Sequence, residues 1–149
     1  MTGVTLTRPA KLYSPALLEL ATGLAQFPLD PAHPFTAEAR SRSCGSVVTL
    51  GLALDAQARI AAIGMQVSAC AVGQASAMLL ASHARAAAPQ TIIGTTDALE
   101  RWLAGQGTLP VWPGLDVLGP ARDLPGRHGA LLLPWKAACM ALSSGAAGG

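Results

Sequence analysis

Apolar and polar residues alternate with a period of two through three segments in the first half of the chain, residues 35–40, 47–54 and 59–67. Such alternation is typical of half-exposed strands, in which successive side chains point to opposite faces. Short runs rich in small and polar residues, 43–46 and 55–58, separate the segments and predict tight turns. The pattern therefore predicts a three-stranded antiparallel meander.

Helical signals lie on both sides of this meander. Ser14 followed by Pro15 predicts the start of an N-terminal helix, because a hydroxyl cap and a proline at the first helical position favour initiation. Four later stretches are also predicted to be helical: residues 70–88, 97–105, 115–121 and 133–143. The sequence thus predicts an α+β fold, with N-terminal, central and C-terminal helices packed on the meander. We expect a single domain at residues 1–143 and a disordered tail of small residues at 144–149.

Composition and charge exclude several classes of protein. Hydrophobic residues make up 51% of the 149 residues, but no apolar run reaches the roughly 18 residues that a membrane-spanning helix needs. The N-terminus lacks a signal-peptide pattern, so the cytoplasm is the default location. A net charge of +2 with two lysines forms no basic stripe. We therefore expect neither membrane insertion nor nucleic-acid binding.

Two of the three cysteines are predicted to meet. If the second turn is centred between residues 56 and 57, continuing the strand pairing places Cys44 opposite Ala69, one residue from Cys70. Cys70 also stands at the start of the central helix, where free amides and the helix dipole stabilise a thiolate. Two such thiolates suit zinc, an iron–sulfur cluster or persulfide sulfur. The alternatives are two structural cysteines or an adventitious disulfide.

Two short motifs carry a resemblance to a known family. Residues 43–46 (Ser-Cys-Gly-Ser) and residues 70–76 (Cys-Ala-Val-Gly-Gln-Ala-Ser) are similar to the paired cysteine motifs of the iron–sulfur cluster assembly scaffolds of the NifU N-terminal, IscU and SufU type. The resemblance extends from about residue 12 to residue 135. The long segment between residues 84 and 125 is similar to the insertion of the SufU-type members.

The resemblance implies both a function and a ligand set. Members of the family are not enzymes; they accept sulfur from a cysteine desulfurase, and they bind zinc or assemble a transient [2Fe–2S] cluster on three cysteines and one further ligand. Their first two cysteines correspond to Cys44 and Cys70. The family's acidic residue two positions after the first cysteine corresponds to Ser46, and its third cysteine corresponds to Ala130.

Two other residues are candidates for the missing ligand position. If residues 127–131 are extended, His128 lies on the same side of the chain as Ala130, and imidazole binds zinc and iron well. The predicted metal site therefore consists of the two paired cysteines and His128. Cys139 lies nine residues beyond Ala130 and is predicted to be a core cysteine instead.

The leading hypothesis is a non-enzymatic scaffold or carrier, with a cysteine desulfurase and recipient apoproteins as partners. One alternative is a zinc-binding sulfur-relay protein of the same fold, in which Cys70 accepts a persulfide and no cluster forms. Another is an interaction or regulatory paralogue that binds assembly proteins without metal. A homodimer that shares one cluster between two cysteine pairs would restore four sulfur ligands.

Overall fold

The computed structural model describes residues 12–148, with side chains described as far as Ser144. The first eleven residues of the predicted domain, and Gly149 of the predicted tail, lie outside the described residues. No helix within residues 12–148 is long and apolar enough to cross a membrane. The α-helices are α1 (Pro15–Ala21), α2 (Ala71–Ala84), α3 (Pro89–Leu103) and α4 (His128–Gly148); the strands are β1 (Phe35–Arg40), β2 (Val47–Leu54) and β3 (Ile60–Ser68).

The three strands form an antiparallel sheet in the order β1-β2-β3, which confirms the predicted meander and the α+β class. The pairing of β2 with β3, Leu50 opposite Met65 for example, differs by two residues from the predicted pairing. One residue of the shift comes from the turn, where Asp55 pairs with Arg59 around a three-residue loop that contains Ala58 at φ 60°. The other comes from a bulge after Ala53. A shift of two leaves the side chains beyond the bulge on their predicted faces, but at the bulge Ile60 is buried and Ala61, which was predicted to share the face of Ile63, is exposed.

The helices bury the apolar face of the sheet. Helix α4 packs across β1 and β2, and α2 packs against α1, α4 and β3. At the centre, the Ser76 hydroxyl donates a hydrogen bond to the Leu131 carbonyl (2.7 Å) and accepts one from the Trp135 indole N–H (3.1 Å). Trp135 also contacts Trp112 edge to face, with ring centroids 5.0 Å apart. This buried network fixes α2 against α4, and both helices border the candidate site.

Two predicted helix boundaries in the second half are wrong. The central helix ends at Ala84, not near residue 88, because Ala86 adopts a left-handed conformation (φ 72°). Pro89 does not follow a helix but begins α3, at a position where its missing N–H has no intrahelical partner to lose. The helix predicted to begin at Asp97 is therefore only the second half of α3.

The last helix is longer than predicted at both ends. It begins at His128 instead of residue 133, and it includes Pro134. Two short 3₁₀ helices, Leu115–Asp123 and Pro125–Arg127, lead directly into it. At the other end it continues to Gly148.

Candidate functional site

Cys44 lies at the tip of the loop that joins β1 to β2. The loop closes on itself: the Gly45 N–H donates to the Ser41 carbonyl (3.0 Å), and the Ser41 N–H donates to the Ser46 carbonyl (2.9 Å). Gly45 makes this possible because its φ of 72° is one that residues with a Cβ rarely adopt. The loop holds Cys44 exposed to solvent.

Hydroxyl groups surround the Cys44 sulfur. Ser41 Oγ lies 3.2 Å from Cys44 Sγ, and Ser46 Oγ lies 3.1 Å from it. Ser43 extends this polar cluster through a 3.3 Å hydrogen bond with Ser41. The Cys44 thiol donates to Ser41 Oγ. Hydrogen bonds with Ser41 first and then Ser46 lower the pKa of Cys44, because the same hydroxyls can donate to the sulfur once it is a thiolate. The arrangement makes the Cys44 thiol easier to ionise than an ordinary exposed cysteine.

Cys70 caps the N-terminus of α2. Its backbone is extended (φ −68°, ψ 174°), and its carbonyl accepts the first helical hydrogen bond, from the Gln74 N–H (2.9 Å). The Gln74 side chain donates to the Val67 carbonyl (2.8 Å), which fixes the start of the helix against β3. No side chain among residues 12–148 caps this end, so the free amides of the first turn face the same region as the exposed Cys70.

The two cysteines line one open pocket of about 360 Å³ at this end of the sheet. The meander brings them together as predicted, although the pairing behind that prediction was shifted by two residues. The remaining lining comes from the residues near the cysteines, from the 3₁₀ helix before α4 and from the first turn of α4: Gly45, Ser46, Ser68, Ala69, Gly126, Arg127 and Ala130.

The two residues that stand at expected ligand positions are also in the pocket. Ser46 is buried beneath the Cys44 sulfur, and Ala130 is 1% exposed, with its methyl group forming part of the wall. Gly73 on α2 provides the space beside it, since a Cβ at Gly73 would lie 3.3 Å from the Ala130 Cβ. Ala130 therefore lines the same pocket as the two thiols but offers no ligand atom to it.

His128 does not lie with the cysteines. The residues around it are helical, so it faces nearly opposite to Ala130. Its Nε2 instead lies 2.8 Å from the Arg122 carbonyl and 3.2 Å from the Ala121 carbonyl. It lines a separate pocket with Arg122, Asp123 and residues 103–105. The assumption of an extended segment failed because a proline inside α4 did not stop the helix from starting earlier.

Cys139 also lies away from the pocket, as predicted. It follows Ala130 by nine residues of continuous helix, a rise of about 13 Å. Its thiol is half-buried and lies 3.5 Å from the Thr96 hydroxyl on α3. Burial raises the pKa of Cys139, so its thiol is less reactive than that of Cys44.

Arg127 was not selected from the sequence as a site residue, but it lines the cysteine pocket. Its guanidinium hydrogen-bonds the Tyr13 hydroxyl (3.4 Å). That hydrogen bond, and the negative charge that Cys70 and Cys44 acquire as thiolates, raise the pKa of Arg127. No carboxylate among residues 12–148 forms an ion pair with it. The sequence signal for it is its match to the arginine of the SufU-type pattern P-x-R-x-K-C, in which Ala130 stands at the position of the cysteine.

The pocket supplies half of a tetrahedral soft-metal site. Zinc and iron–sulfur sites in proteins generally take four ligands, mostly thiolate and imidazole. The residues that line the pocket provide two thiols, two hydroxyls, two methyl groups and one guanidinium. Within residues 12–148, no group of three or more His, Cys, Asp or Glu side chains is arranged to hold a metal ion. One chain alone therefore does not fit a complete zinc or cluster site.

Comparison with solved structures identifies the fold. The chain is 25% identical to the N-terminal part of a nitrogen-fixing NifU-like protein from Brucella abortus, with a TM-score of 0.89 over 95% of this chain and 99% of that one. A candidate iron–sulfur cluster assembly scaffold protein for the SUF system from Fervidobacterium islandicum AW-1 is 23% identical, with a TM-score of 0.74 over 88% and 96% of the two chains. No protein-family model and no curated protein sequence matches the chain. The chain has the fold of the IscU, NifU and SufU scaffolds, as its motifs predicted.

Proposed function

We propose that this protein is a non-enzymatic iron–sulfur cluster assembly protein, a scaffold or carrier that receives sulfur from a cysteine desulfurase and holds iron, zinc or a transient [2Fe–2S] cluster as cargo for recipient apoproteins. The observation that carries the proposal is the placement of two exposed thiols in one pocket. That pocket lies on a fold whose solved relatives include a NifU-like protein and a candidate SUF scaffold.

Sulfur acceptance is assigned to Cys44. Its pKa is lowered by the serine hydroxyls, and a thiolate is the nucleophile in persulfide transfer. The Cys44 thiolate attacks the terminal sulfur of the desulfurase persulfide, so that a new S–S bond forms on Cys44 while the donor's S–S bond breaks. The donor cysteine leaves as a thiolate, and the step involves no net oxidation. The proposal thus differs from the sequence-based relay hypothesis, which gave this role to Cys70.

A persulfide-transfer experiment tests this function. The protein is incubated anaerobically with a cysteine desulfurase and cysteine, then alkylated, and its peptides are weighed by mass spectrometry. We expect one additional sulfur on the Cys44 peptide in the wild type and none on that peptide in Cys44→Ser. The third cysteine is the internal control, because its half-buried thiol lies outside the pocket. Transfer to Cys139 alone, or no transfer to either pocket cysteine, would contradict the proposed function.

A sulfur-relay protein that never holds a cluster is the second candidate function. Ala130 favours it, because this side chain offers no ligand at the position that faces the two thiols. Both candidates predict persulfide on Cys44, and only the scaffold predicts iron together with acid-labile sulfide. Metal and sulfide analysis of protein purified without oxygen separates them.

A further inference from the structure

Little side chain separates the two thiols of the cysteine pocket. Val47 pairs with Ser68 where the ladder between β2 and β3 ends. Continuing this register by two residues along both chains brings Gly45 level with Cys70, and Cys44 is the residue before Gly45. A Cβ at Gly45 would meet nothing within 4 Å, so the space beside it is open. Apart from the cysteines and Arg127, the lining consists of glycine, alanine and serine, and nothing bulky keeps the two sulfurs apart.

The surroundings of the two thiols suit a reaction between them. Sulfur delivered to Cys44 arrives as a persulfide, and a neighbouring thiolate attacks such a sulfur–sulfur bond. Of the other two cysteines in the chain, Cys70 lines the same pocket, whereas Cys139 contacts Thr96 elsewhere. Arg127 is close enough to both pocket cysteines for its charge to act on them. A guanidinium in this place stabilises an anion that leaves the pocket.

We propose that Cys70 resolves the persulfide on Cys44 and releases its outer sulfur as sulfide. The Cys70 thiolate attacks Cys44 Sγ, the inner sulfur, so that a disulfide forms between the two cysteines while the bond to the outer sulfur breaks. The outer sulfur takes the electron pair of that bond and, with the proton that Cys70 gave up, leaves as HS⁻. The outer sulfur is reduced and the Cys70 sulfur is oxidised, so the step needs no other redox partner.

This inference rests on the proposed function, because it begins from a persulfide on Cys44. It adds the fate of the delivered sulfur, which leaves as sulfide, the oxidation state in which sulfur enters an iron–sulfur cluster. A disulfide offers no thiolate, so a dithiol reductant in solution must reduce it before the pocket accepts sulfur again. Cys70 thus acts as an internal reductant and not as a second sulfur acceptor.

The lifetime of the persulfide on Cys44 tests the inference. Wild type and Cys70→Ser are loaded anaerobically by an immobilised cysteine desulfurase and cysteine, and are then separated from both, so that no other thiol remains. Sulfide in solution is followed over time, and alkylated peptides are weighed without reduction. In the wild type we expect a Cys44–Cys70 disulfide to replace the persulfide, with an equal amount of sulfide released. In Cys70→Ser the persulfide should last at least about tenfold longer, because its intramolecular attacker is gone.

Two further positions assign the effect to named groups. Cys139→Ser is the matched control and should behave as the wild type, because its thiol lies 3.5 Å from the Thr96 hydroxyl and outside the pocket. Arg127→Gln, at an exposed position, should slow sulfide release by about threefold, and Arg127→Lys should recover part of the rate. The rate constant should not change on dilution, since the attacking thiol belongs to the same chain. Circular dichroism confirms that each variant is folded.

The outcomes separate this inference from the function beneath it. If Cys70→Ser carries persulfide on Cys44 and the wild type keeps its persulfide equally long, the inference is wrong and the proposed function stands. A rate that rises with protein concentration, with disulfides between chains, would overturn the inference in favour of attack by a second copy. If neither protein acquires persulfide on Cys44 and no sulfide is released, the proposed function is refuted, and the inference with it.

Discussion

Replacing Ala130 with cysteine should tighten zinc binding by about 30-fold. A complete structural zinc site contributes about 10–16 kcal/mol from four ligands, so one further thiolate adds roughly 3 kcal/mol. The larger side chain costs about 1 kcal/mol, because Ala130 is 1% exposed and lies close to Gly73, where an added Cβ would be 3.3 Å from the Ala130 Cβ. The net gain of about 2 kcal/mol corresponds to the stated increase in affinity.

A competition titration against a chromophoric zinc chelator measures this change directly. Ala130→Ser is the matched control, because it adds an atom of similar size in the same place but supplies a hydroxyl instead of a soft thiolate. The reasoning is refuted if folded Ala130→Cys binds zinc no more tightly than the wild type. It is also refuted if Ala130→Ser tightens binding as much as Ala130→Cys does.

Three further predictions concern individual side chains. Ser41→Ala should raise the pKa of Cys44, since it removes the largest source of thiolate stabilisation. Alkylation of Cys44 by iodoacetamide should then be slower at pH 7, and its pH–rate profile should move to higher pH. Ser43→Ala, at a residue that contacts Ser41 and not the sulfur, should have a smaller effect. Cys139→Ala should leave zinc affinity unchanged and cost less than about 1.5 kcal/mol in urea unfolding; lost zinc binding would place the site elsewhere. Ser76→Ala should lower the free energy of unfolding by about 2 kcal/mol in the same assay, because it leaves the buried Trp135 indole N–H unpaired. An unchanged urea midpoint would contradict the role given to this hydrogen bond.

The strands and the cysteine pair followed from local sequence patterns. Alternation of side chains specifies which face of a strand is buried, and this information survives a two-residue shift in pairing. Cys44 and Cys70 therefore reach the same pocket even though the turn contains one more residue than predicted and β3 contains a bulge. The bulge and the left-handed Ala58 could not be predicted, because alanine gives no local signal for either.

The helix boundaries depended on prolines whose effect is set by tertiary structure. Pro89 begins a helix and Pro134 lies inside one, and the sequence around each was compatible with the opposite role. The second error moved His128 out of the site, because two residues of helix turn a side chain by about 200°. Arg127 lines the pocket because it lies in a short 3₁₀ helix directly before α4, and the sequence pattern did not reveal that helix.

The most direct test of the account is the iron, zinc and acid-labile sulfide content of protein purified without oxygen, compared with the Cys44→Ser/Cys70→Ser double variant. The account predicts iron with sulfide in the wild type and loss of both in the folded double variant. Zinc without sulfide would favour the sulfur-relay function of the same pocket. A wild type with neither metal nor sulfide, after reconstitution with iron and sulfide, would contradict the claim that Cys44 and Cys70 form a metal- and sulfur-binding site.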